Sequence, residues 1–130
     1  MSRENVELVE RDVRHFVETG ESNIDSLDPQ IEVHDHDIPD AGTYRGHEGY
    51  EQWVSDWAAA WDKFSIEPEA YIDAGERVVL VIRMTATGRG SGLELNRQDA
   101  LVYTIRDAKV VRLDYYNSKA QALEAAGLSE

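Results

Sequence analysis

Asp35 and Asp99 are the two acids of this sequence whose neighbours suit them to proton transfer. Asp35 ends the alternation Ile31, Val33, Asp35, whose complementary set is Glu32, His34, His36. Successive side chains of an extended chain point to opposite faces, so burying the two aliphatics carries Asp35 inward with them. A carboxyl held in apolar surroundings is desolvated, which raises its pKa and suits it to act as a base near neutral pH. The same acid at an exposed strand end, or capping loop amides, would be purely structural. Asp99 stands two residues from Arg97, on the same face of an extended chain, and the two are expected to pair if buried. Tyr115 and Asn117 supply neutral donors of the kind that stabilise a developing oxyanion.

Other chemistries find less support. There are no cysteines, which removes disulfides, thiolate metal sites and a thiol nucleophile. His34 and His36 alternate with Asp35 and Asp37, but period-two geometry sends the histidines and the aspartates to opposite faces. A metal site needs three or four converging ligands, so no metal is expected. No glycine-rich phosphate loop or nucleophile elbow occurs, and no cofactor is expected.

The elements that must position these residues follow from periodicity. Residues 3–19 read as an amphipathic helix with Val6, Val9, Val13, Phe16 and Val17 on one stripe, closed by Gly20. A short helix over 22–27 ends at Asp28-Pro29, a strand covers 31–36, and a loop with Pro39 and Gly42 runs over 37–45. A helix over 47–63 carries Tyr50, Trp53, Val54, Trp57 and Trp61 at helical spacing. Aromatic stripes of this kind usually pack as core, and Trp53 and Trp57 are placed at the border of a pocket. Strands over 64–73, 77–89, 92–105 and 109–117 follow, then a last helix from Ser118 to Gly127.

Hairpin geometry sets the faces. A two-residue Gly90-Ser91 loop opposes Ala86 to Leu95, Met84 to Arg97, Ile82 to Asp99, Leu80 to Leu101 and Val78 to Tyr103. This mostly apolar set is taken as the inner face, which makes Met84, Arg97, Leu101 and Tyr103 pocket residues. A three-residue turn at 106–108 would oppose Leu101 to Leu113 and Asp99 to Tyr115, and would turn Val111, Leu113, Tyr115 and Asn117 inward. Ala108 then stands where a left-handed backbone is needed and glycine would be easier. The outer face is half apolar, with Val79, Val81, Ala100 and Val102, which suggests a homodimer through the sheet.

One hundred and thirty residues suit one domain spanning 1–130. The net charge of −13 argues against a nucleic-acid partner and against anionic membranes. No apolar run approaches a membrane span and no signal-peptide core is evident, so a cytoplasmic address is expected.

The order of elements, the Asp28-Pro29 before the first strand, the Tyr44-Arg45-Gly46-His47-Glu48-Gly49 entry to the tryptophan helix and the hairpin from Arg106 to Leu113 resemble the SnoaL-like branch of the nuclear transport factor 2-like superfamily. The resemblance covers nearly the whole chain. It implies an α+β cone-shaped roll: a curved, mainly antiparallel sheet wrapped around helices, with a pocket at the wide end and frequent dimerisation through the sheet. Members include ketosteroid isomerases, polyketide cyclases, epoxide hydrolases and dehydratases. Val33-His34-Asp35 matches the strand on which the isomerases carry their base, so the resemblance implies that role for Asp35. Val13 stands where those isomerases carry a tyrosine, and their second acid falls near Leu101. Leu101 also stands where many cyclases carry histidine. Arg83 and Thr85 occupy the region of the hydrolases' Arg-x-Asp pair, with its acid missing.

Two readings follow. In one, a cofactor-independent isomerase, cyclase or hydratase-type enzyme acts on a small hydrophobic molecule, with Asp35 as base and Asp99 as second acid or orienting group. In the other, the same pocket belongs to a non-catalytic binding protein or dimeric scaffold. An inward Asp35 beside Asp99 favours the first, and the missing tyrosine and histidine favour the second.

Overall fold

The computed structural model describes residues 2–37 and 42–128. Pro39, part of the expected loop, lies outside them. The elements in chain order are α1 (Ser2–Thr19), a single 3₁₀ turn (Ile24–Ser26), β1 (Leu27–Asp35), β2 (Tyr44–Arg45), α2 (Gly46–Ala59), β3 (Trp61–Ala74), β4 (Arg77–Gly88), β5 (Glu94–Arg106), β6 (Lys109–Tyr116) and α3 (Lys119–Ala125). The strands form one curved six-stranded sheet in the order β2-β1-β6-β5-β4-β3. The result is an α+β cone, antiparallel throughout except where β1 runs parallel to β6.

The inner face packs on α1 and α2. Val9, Ile31, Val33, Val78, Ile82, Met84 and Leu113 are sealed from solvent in one core. α1 inserts Leu8, Val9 and Val13 and ends where Gly20, at φ +77°, donates its amide to the Phe16 carbonyl. Val17, expected on the buried stripe, is half exposed on the helix's last turn.

Four expected boundaries move. β1 begins at Leu27 and runs through Asp28-Pro29. Its ladder to β6 is irregular between Leu27 and Glu32, so the missing Pro29 N–H falls where no ladder bond is required. α2 stops at Ala59, and Trp61 opens β3 opposite Gly88. The loop between β4 and β5 inside the opposed pair Gly88 and Leu93 is four residues, 89–92, closed by Gly92 N to Gly88 O and Gly88 N to Leu93 O, yet the pairing beyond it is the expected one, from Ala86↔Leu95 to Val78↔Tyr103. The β5–β6 turn is a two-residue loop at Asp107-Ala108, both at positive φ (49° and 62°), followed by a bulge in β6, where Val111 is the extra residue opposite the step from Thr104 to Ile105. The bulge opposes Leu101 to Tyr115, where Leu113 had been expected, and buries Val110 in place of Val111.

The apolar half of the outer face is covered within the chain. Val79, Val81, Ala100 and Val102 pack beneath Ala122, Leu123 and Ala126 of α3. Ser118 caps this helix by accepting from Gln121 N at 3.3 Å. The patch that argued for a dimer contact is therefore occupied by α3, and its burial is no longer evidence of a second subunit.

Candidate functional site

Between α1, α2 and the inner sheet face lies a cavity of about 90 Å³. Its rings come from Phe16, Tyr50, Trp53, Trp57, Tyr103 and Tyr115, and aliphatic side chains complete the wall, among them Leu80, Ile82, Leu101 and Leu113. α2 delivers Tyr50, Trp53, Val54 and Trp57 because positions three and four apart share one helix face. β5 delivers Leu101 and Tyr103, and β6 delivers Leu113 and Tyr115, as alternate residues of each strand. The rings brace one another: Trp53 and Trp57 meet Tyr115 at centroid distances of 6.1 and 6.4 Å, and Phe64 stands edge-on to Trp57 at 4.7 Å.

Among the described residues no carboxylate or cationic side chain lines this cavity. The acids stand behind two of its rings. Trp53 Nε1 donates to Asp35 Oδ2 at 2.8 Å, and the Asp37 amide donates to Asp35 Oδ1 at 2.9 Å. The Tyr115 hydroxyl donates to Asp99 Oδ2, while Arg97 Nε donates to Asp99 Oδ1 at 2.7 Å. Arg97 reaches on to Asp37 Oδ2 at 2.6 Å, and Asn117 Nδ2 donates to Asp37 Oδ1 at 3.0 Å. Each oxygen of these three carboxylates thus has a donor, as buried charge requires. Asp99 is fully buried and Asp35 nearly so, at 6% exposure.

Burial pushes the Tyr115 hydroxyl well above the ordinary tyrosine range, and the Asp99 charge pushes it further. Burial opposes the Arg97 charge, but the hydrogen bonds that it donates to Asp37 and Asp99 outweigh it and hold the guanidinium more firmly protonated than usual. At neutral pH Tyr115 therefore keeps its proton and gives it to Asp99, leaving the hydroxyl oxygen as an acceptor.

Of the sequence-derived candidates, Trp53, Trp57, Leu101, Tyr103 and Tyr115 line the cavity. Asp35, Asp99, Arg97 and Asn117 gather beside it in the polar network. Met84 is wholly buried in the core and does not line the cavity. The donors considered for an oxyanion, Tyr115 and Asn117, are both engaged by carboxylates. Two contributors had not been singled out for the site. Asp37 bridges Arg97 and Asn117, and Tyr50 lines the cavity. Tyr50 was visible on the tryptophan stripe. Asp37 lies just past β1, and the alternation that set it on one face with Asp35 was the signal for it.

On the outer face His36 lies flat on Tyr116, with ring centroids 4.4 Å apart, and bonds Asp114 Oδ1 at 2.8 Å. Arg112 grips the same carboxylate with two bonds, and His34 bonds Glu32 at 3.0 Å. These side chains pair off with one another. Among the described residues no group of three His, Cys, Asp or Glu side chains is placed to share a metal ion, and no helix is long and apolar enough to cross a membrane.

The family model for the SnoaL-like domain matches residues 8–113. Nothing among the curated proteins matches the chain. Solved structures do. A nuclear transport factor 2-like protein from Burkholderia xenovorans LB400 is 25% identical and superposes with a TM-score of 0.74 over 97% of each chain. Bal32a, from a soil-derived mobile gene cassette, reaches 0.78 at 19% identity over 95% of this chain and 96% of its own. TerC, co-crystallised with polyporic acid, reaches 0.72 at 18% identity over 95% and 98%.

Proposed function

The chain belongs to the SnoaL-like domain family, and we propose that it binds a small, largely apolar molecule in the aromatic cavity between α2 and the sheet. One observation carries this reading: six aromatic rings from four elements converge on a space that no charged side chain among the described residues enters. Concave, mostly apolar sites with a few polar atoms are the usual form of small-molecule pockets. TerC, which shares the fold, was crystallised with polyporic acid, and that supports use of the fold for small molecules. The test is a titration with small cyclic hydrocarbons and ketones, read by methyl NMR shifts in the wild type and in Leu101→Trp, which fills the cavity. Saturable shifts confined to the wild type support the reading. Equal shifts in both proteins would sink it.

A second, catalytic reading draws on Asp35, a nearly buried carboxylate one hydrogen bond behind the cavity wall. In it Asp35 is the general base, freed when a ligand displaces the Trp53 indole, and Asp99 orients Tyr115. Asp35→Asn would then abolish turnover of a bound carbonyl compound without changing its affinity. A homodimer through the sheet belongs to this proposal only on the polar half of the outer face, around Arg83, Thr85, Asn96 and Gln98, because α3 occupies the other half. Sedimentation of the wild type against Arg83→Glu tests that contact.

A further inference from the structure

Resting on the small-molecule reading above, we infer that Tyr103 and Tyr50 are the groups that read the ligand, and that the ligand offers them a neutral hydrogen-bond acceptor such as a carbonyl oxygen. The polar side chains of the cavity wall divide into donors already committed and donors still free. Trp53 Nε1 is committed to Asp35 and the Tyr115 proton to Asp99. Tyr50 accepts from Ser22 Oγ at 3.2 Å, which leaves its own proton unassigned. Tyr103 has no hydrogen-bond partner among the described residues. A tyrosine hydroxyl carries one donor, and an indole N–H is a donor only. Two hydroxyl protons therefore remain to be given away, and the most direct recipient is an acceptor on the ligand.

Charge narrows the class. No lysine or arginine lines the cavity. Arg97, whose charge acts on Tyr115, is held between Asp37 and Asp99. The Asp12 carboxylate acts on both Tyr50 and Tyr103, and Asp35 and Asp99 stand behind the neighbouring rings. A carboxylate or phosphate entering here would lose water and meet no uncommitted cation among the described residues, which is strongly unfavourable. A carbonyl loses little on entry and gains a bond that the apolar walls strengthen. Burial pushes the Tyr103 and Tyr50 hydroxyls above the ordinary tyrosine range, so both remain protonated donors.

Isosteric probes separate these effects. Cyclohexanone, methylenecyclohexane, in which =CH₂ replaces =O, and cyclohexanecarboxylate are titrated against methyl-labelled protein, with Val13, Val54, Ile82 and Leu113 as cavity reporters. The ketone is expected to bind more tightly than the alkene, and the carboxylate to give no saturable shift. Tyr103→Phe should weaken the ketone roughly fivefold, the worth of one net hydrogen bond, and leave the alkene unchanged. Tyr50→Phe gives an independent second reading in the same direction. Equal affinity of ketone and alkene, equal loss of both in Tyr103→Phe, or carboxylate binding as tight as the ketone's would overturn the inference while leaving the pocket reading intact. If neither neutral probe shifts the cavity methyls, the pocket reading falls as well.

Discussion

The indole Nε1 of Trp53 reaches Asp35 Oδ2 at 2.8 Å, tying α2 to the end of β1 through a bond between two side chains that are each more than nine-tenths buried. The bond does two things at once. It satisfies an oxygen of a carboxylate that makes no ion pair among the described residues, and it fixes the ring that walls the cavity. Removing the donor leaves the acid short of one partner. Trp53→Phe is expected to lower unfolding free energy by about 1–3 kcal/mol from the unsatisfied acceptor alone, read by urea denaturation at neutral pH. Asp35→Asn in the same background should recover part of the loss. A change within about 0.5 kcal/mol, the usual range of a surface substitution, would show that the bond contributes little.

Tyr115 links stability to alkaline pH. Its native pKa is raised above the usual 10.0, first by burial and then by Asp99. The unfolded chain releases this proton near pH 10, while the native state retains it. The native state then binds more protons, so stability that is fully present below about pH 10 declines as pH rises beyond it. The melting temperature should therefore fall steeply above pH 10 in the wild type and less steeply in Tyr115→Phe. Identical slopes would remove Tyr115 from the account.

Asp107 and Ala108 form the β5–β6 turn with φ of 49° and 62°. A left-handed backbone costs a residue with a Cβ roughly 1–2 kcal/mol, and glycine escapes that cost. Allowing for glycine's greater freedom in the unfolded chain, Ala108→Gly is expected to stabilise the protein by about 0.5–1 kcal/mol. Thermal and urea denaturation both read it, and a destabilised variant would contradict the turn assignment.

Leu123 anchors α3 over Val79, Val81, Ala100 and Val102. Leu123→Asp should lift the helix and bare a contiguous apolar patch, the kind of surface that recruits partners or aggregates. The expected result is increased dye binding together with a concentration-dependent rise in mass by light scattering. A monomer with unchanged dye binding would mean that α3 is not what covers this face.

The parts of the fold that depend on parity could be read from the sequence. The β4–β5 pairing follows from the alternation of its side chains whether the loop has two residues or four, and both lengths oppose Ile82 to Asp99. A three-residue turn and a two-residue turn with a bulge likewise both point Leu113 and Tyr115 inward. Beyond the bulge the facing holds while the partners shift by two, Leu101 meeting Tyr115; between turn and bulge the facing itself changes, and Val110 takes the core position expected of Val111. Trp61 was misplaced for a different reason. Its spacing from Trp57 continues the helical series, and no glycine or proline marks the stop after Ala59. Tertiary pairing with Gly88 decides the matter, and local pattern carries no trace of it. The polar network was partly legible. Arg97 and Asp99 share a strand face, but their engagement with Asp37 and Tyr115 depends on contacts across several elements.

The parallel pairing of β1 with β6 sets when the site can exist. Asp35 lies opposite Tyr115 in that ladder, and the bond from Asn117 to Asp37 spans eighty positions of chain. Such closures bear the full entropy of looping the intervening chain and form slowly compared with the local hairpins β3–β4 and β4–β5. On a ribosome those hairpins can assemble as they emerge, but Asp35 has no β6 to lie beside until Tyr115 has been synthesised. The acid network behind the cavity wall is accordingly a late product of assembly, complete only after β1 and β6 have met.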